Sequence, residues 1–66
     1  MTRTEAIAVA RRFVETYVYT NRQWNVGSVE GCLPDGYELR DVEVGDFFPV
    51  TVENIARVIK SHAVRA

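Results

Sequence analysis

Cys32 and His62 are the only cysteine and histidine in this chain of 66 residues, and together they are the pair most able to do covalent chemistry. A thiolate–imidazolium couple would make the chain a thiol enzyme fragment or an accessory subunit. A reactive cysteine needs an electropositive, partly exposed setting. The run around Cys32 reads instead as a strand, where a small buried cysteine is commoner. His62 falls in the last turn of a terminal helix. There an imidazole complements the negative helix pole or meets solvent, without the supporting pocket that a Ser-His-Asp set requires.

The remaining arrangements are weaker. Asp41 and Glu43 alternate on a strand, so they share a face and repel, with no deep cleft to drive their pKa values apart. Gly27 and Gly31 lack the Lys and Ser/Thr of a phosphate-binding loop. Structural zinc takes four ligands, more than one cysteine and one histidine supply, and a lone cysteine closes no disulfide within the chain. The expectation is a protein that is not an enzyme and holds no cofactor and no metal.

Charge is more informative. The net of −1 hides a basic–acidic–basic layout. In residues 1–22, Arg3, Arg11, Arg12 and Arg22 outweigh Glu5 and Glu15 by +2. In residues 23–54, Glu30, Asp35, Glu38, Asp41, Glu43, Asp46 and Glu53 face Arg40 alone, a net of −6. Residues 55–66 carry Arg57, Lys60 and Arg65, a net of +3. Either the helix arginines neutralise an acidic sheet inside the fold, or the carboxylates form an acidic surface that attracts a basic partner.

The elements that must carry these charges can be read from local signals. Thr2-Arg3-Thr4-Glu5 has the form of a capping box. Ala6, Ile7, Ala10, Phe13, Val14, Tyr17 and Val18 follow at helical spacing, which predicts a helix from about residue 3 to about residue 19, stopped near Asn21. Trp24, Val26, Val29, Cys32 and Leu33 predict a strand over 23–33. Pro34-Asp35-Gly36 combines a preset φ, a backbone-bonding carboxylate and a residue tolerant of positive φ, which predicts a turn closing an antiparallel hairpin. Tyr37 to Val44 would be the second strand, with a bulge near Arg40-Asp41. Phe47-Phe48 could add a third, ended by Pro49. Thr51 caps a last helix, whose buried stripe is Val52, Ile55, Ala56, Ile59 and Ala63. The fold class is therefore α+β, one small domain over 1–66: a helix, an antiparallel hairpin or small three-stranded sheet, then a helix.

A chain this short buries only about 60% of the surface its unfolded form exposes, so a partner or a second copy would add to its stability. Its 47% apolar content suits a folded domain. The single cysteine fits a reducing compartment, and Arg11 and Arg12 interrupt the only early apolar stretch, so no signal-peptide core is present. No run approaches a membrane span. These features point to a cytoplasmic protein with no membrane partner.

The run from Glu5 to Glu15 resembles the opening helix of nuclear-transport-factor-like domains. Those are longer and built on a strongly curved sheet, so the resemblance ends with this helix. Not all seven aromatics (Phe13, Tyr17, Tyr19, Trp24, Tyr37, Phe47 and Phe48) fit inside so small a domain, and exposed Trp or Tyr anchor protein contacts. A Trp lying flat over the open face of the sheet is the alternative.

The first functional expectation is a small non-catalytic binding protein, monomer or homodimer, that covers a macromolecular surface through Glu38, Asp41, Glu43, Asp46, Trp24 and Tyr37. By analogy of size and charge, it would act like the phage inhibitors of CRISPR or restriction complexes. The alternative is a nucleic-acid-binding regulator using Arg11, Arg12, Arg22, Arg57 and Lys60. The net negative charge and the absence of an RNA-recognition or helix-turn-helix pattern argue against direct nucleic-acid contact.

Overall fold

Thr2 and Glu5 close the first turn of the chain on each other. The Glu5 N–H donates to Thr2 Oγ1 at 3.1 Å, and the Thr2 N–H donates to Glu5 Oε1 at 2.9 Å, so two otherwise orphaned donors are satisfied reciprocally. In the computed structural model, which describes residues 1–17, 29–43 and 49–66, helix α1 runs from there over Arg3–Tyr17. Its inner face is Ala6, Val9, Ala10 and Phe13, spaced i, i+3, i+4 and i+7 as a helix packed on one side requires.

Residues 29 and 30 are helical, and a tight turn follows, with the Cys32 N–H on the Val29 carbonyl and the Leu33 N–H on the Glu30 carbonyl, each at 3.0 Å. Spaced i, i+4, Val29 and Leu33 both turn into the core. This corrects the strand predicted over 23–33. Its β-branched and apolar residues are there, but from Val29 onward they are delivered by helix and turn. Residues 23–28 of that prediction lie outside the described residues, as do Asn21 and the strand expected at Phe47-Phe48.

The turn at Pro34-Asp35-Gly36 is present. The Tyr37 N–H donates to the Pro34 carbonyl at 3.3 Å, and Gly36 has φ 89°, the positive value that the third position of a type II turn demands. It does not close a hairpin, however. Strand β1 (Tyr37–Leu39) pairs with β2 (Ala63–Arg65), placing Tyr37 opposite Arg65, Glu38 opposite Val64 and Leu39 opposite Ala63 in an antiparallel register. The ladder is extended at one end by Ala66 N–H on the Gly36 carbonyl, and at the other by Arg40 N–H on the His62 carbonyl. The strand expected to reach Val44 stops at Leu39. Where a bulge was expected, Asp41 takes φ 56°, a left-handed conformation that Asp adopts more readily than most residues.

Helix α2 (Val52–His62) starts at Thr51, whose Oγ1 accepts the Asn54 N–H at 3.1 Å. It buries Ile55, Ala56, Val58 and Ile59 and packs against α1. Its C-terminal Ala63 bonds the Ile59 carbonyl and has extended backbone angles, so the helix passes into β2 with no intervening loop. The periodicity had placed Ala63 in the helical stripe; it belongs to the strand. The α+β class and the helices at either end hold, with one two-stranded sheet among the described residues. Phe13, Ile55, Ile59 and Val29 are the largest fully buried side chains, each contributing about 1.5–3 kcal/mol by its burial. No helix among the described residues is long and apolar enough to cross a membrane.

Candidate partner-binding surfaces

The acidic segment is built around β1. Alternation on a strand turns Leu39 inward and Glu38 outward. Leu39 is buried, and Glu38 is partly exposed and holds the Arg40 guanidinium, with Nη2 at 2.6 Å and Nε at 2.7 Å from the same Oε1. Asp35 in the turn before β1, and Asp41 and Glu43 after it, are exposed. Asp46 and Trp24 lie outside the described residues.

Tyr37 is partly committed to the fold. It packs against the core, and the Arg65 guanidinium sits 5.4 Å from its ring centroid, within cation–π range. The cross-strand register that opposes these two residues brings charge and ring together.

Both ion pairs among the described residues are local. Glu38 pairs with Arg40, and Glu53 pairs with Arg57 at 3.2 Å one helical turn on. Neither joins a helix cation to a carboxylate of the sheet. Exposed pairs of this kind contribute about 0.2–1 kcal/mol at most. Asp35, Asp41 and Glu43 therefore have no ion-pair partner among the described residues.

The basic residues divide. Arg11 and Arg12 are exposed on α1, and Arg22 lies outside the described residues. Arg57 and Lys60 on α2 line an open groove of about 730 Å³ between the helices, together with Arg3. Arg3 was missed as a site residue. Its signal was its i, i+4 spacing to Ile7, which lines the same groove.

Compared with known proteins, the chain matches no family model, no curated protein and no solved structure. What it can do is argued from its own residues.

Cys32 is a free thiol in the turn after residues 29 and 30, half-buried against the core. His62 is engaged elsewhere, its Nδ1 lying 3.0 Å from the Arg40 carbonyl. A carbonyl only accepts, so Nδ1 carries the proton. In a regular antiparallel ladder the His62 N–H would return the bond that Arg40 gives it. The ring does so here, on a residue whose backbone ends α2. Among the described residues no three His, Cys, Asp or Glu side chains gather to hold a metal, and none of the buried side chains is polar or charged. These surfaces present charge on a fixed backbone.

Proposed function

We propose that this domain is a non-catalytic binding protein that covers a basic surface of another macromolecule with the segment from Asp35 to Glu43. The observation that carries the reading is that Asp35, Asp41 and Glu43 are exposed and have no ion-pair partner among the described residues, although the chain carries eight Lys and Arg. Backbone bonds at Tyr37, Leu39 and Arg40 hold the stretch between them in place. A backbone held in this way loses less freedom on docking, which is what preorganisation contributes to affinity. In its finer form the proposal is an inhibitor that occupies a groove meant for nucleic acid in a CRISPR-like or restriction-like complex, with Glu38, Asp41, Glu43 and Asp46 standing in for phosphates.

The check is binding to an immobilised arginine-rich peptide, with duplex DNA as competitor. The wild-type domain should bind with an affinity that falls with salt and should be displaced by the DNA. The double variant D41K/E43K, reversed at two exposed positions, should bind at least tenfold more weakly at unchanged helicity. Equal affinity and equal salt dependence in the variant would remove the reading.

A second reading, a nucleic-acid-binding regulator, is favoured by one observation: Arg57 and Lys60 share a groove with Arg3. Arg11 and Arg12 do not line that groove. Absence of a gel shift at low salt, where phosphate contacts are strongest, would eliminate it.

A further inference from the structure

The groove between α1 and α2 belongs to neither end of the acidic segment. Its floor is aliphatic: Ala6 and Ile7 from α1, Val52 and Ala56 from α2. Ile7 and Val52 remain half-exposed, so apolar surface is left open to water along the seam where the helices meet. Charge surrounds this floor. Arg3 on α1 and Lys60 on α2 are exposed and have no ion-pair partner among the described residues, while Arg57 is held by Glu53.

We infer that this groove is a docking site for an acidic amphipathic helix of a partner protein. The apolar stripe of that helix would lie on Ile7 and Val52, and its flanking carboxylates would reach Arg3 and Lys60. A helix laid in an apolar groove is read through anchors at i, i+3, i+4 and i+7, and a rim cation from each bounding helix gives such an occupant its sign. Nucleic acid suits the site less well. Single strands bind by stacking bases on aromatic rings, and no aromatic side chain among the described residues lines this groove. Duplex DNA is read by polar groups at base edges, which an aliphatic floor does not offer.

The test is fluorescence anisotropy with a labelled synthetic peptide that carries leucines at i, i+3, i+4 and i+7 and glutamates beside them. The wild-type domain should bind it saturably at micromolar concentration. R3E and K60E, both at exposed positions, should each weaken binding at least tenfold at unchanged circular dichroism, and a peptide with serines for leucines should not bind. Should either variant fail to fold, the serine peptide on the wild-type domain decides the matter. The inference is overturned if a peptide with lysines for glutamates binds as tightly, or if no peptide binds. It is equally overturned if duplex DNA, and not the acidic peptide, binds through Arg3 and Lys60. Concentration-dependent self-association that is lost in both K60E and D41K/E43K would assign the groove to a second copy and overturn it as well.

Discussion

The Glu30 carboxylate accepts the backbone N–H of Leu39 at 2.9 Å. The bonded pairs at Gly36–Ala66 and Arg40–His62 fix the alternation of the ladder, so the N–H groups of Tyr37 and Leu39 point away from β2. The Pro34 carbonyl takes the first and Glu30 takes the second. Both outward donors of β1 are thus occupied by the chain itself, one of the ways in which an edge strand is kept from pairing with another chain.

Replacing Glu30 should expose that arrangement. Glu30→Ala leaves the partly buried Leu39 N–H without its charged acceptor, and should lower unfolding free energy by about 1.5–3 kcal/mol. Glu30→Gln keeps an acceptor oxygen and should lose less than half as much. Urea denaturation followed by circular dichroism measures both. If Glu30→Ala is as stable as wild type, the carboxylate does not hold β1.

Two positive-φ positions should respond differently to substitution. Gly36 has open space where a Cβ would sit, but a φ of 89°, so Gly36→Ala should cost about 1–2 kcal/mol through backbone strain alone. Asp41, with φ 56°, gains relief from glycine that offsets the added freedom of the unfolded chain, and Asp41→Gly should stay within about 0.5 kcal/mol of wild type. Thermal melts of the two variants side by side separate strain from crowding, because neither adds a clash.

The capping box should make itself felt in acid. The Thr2 backbone N–H, and then its hydroxyl, hold the Glu5 carboxyl below the usual carboxylate range. A group with a depressed folded pKa contributes stability that is full above its unfolded pKa and is lost as pH falls through its folded one. Stability of the wild-type domain should therefore decline on the acid side in part through Glu5, and Glu5→Gln should show a shallower decline. A titration of Glu5 by carbon-13 NMR that finds an ordinary carboxylate value would contradict this.

Legibility in the sequence followed the range of the interaction. The Thr2–Glu5 box, the Thr51 cap and the Pro34-Asp35-Gly36 turn are each complete within four residues, and each is where the residue types placed it. The sheet was misread because the partner of β1 lies beyond α2. Ala63, one turn on from Ile59, continues the helical stripe so well that periodicity alone keeps it in the helix. Asp41 and Glu43 were visible as charge. Their lack of an ion-pair partner among the described residues was not, since that depends on how helices and strands are arranged in space. Glu30 was counted as one more acidic residue, because its role exists only once a register directs the Leu39 N–H toward it. Arg3 was absorbed into the cap, and its place on the groove with Arg57 and Lys60 required α1 and α2 to meet.

The direct passage of α2 into β2 bears on the order in which the molecule can fold. During folding, both helices can form and touch before residues 63–65 pair with β1. Until then, β1 lacks its partner β2, and Leu39 has no Ala63 opposite. Because no loop separates His62 from Ala63, the pairing strand arrives already attached to a packed helix and needs almost no search. Sheet formation should therefore follow helix packing with almost no further search.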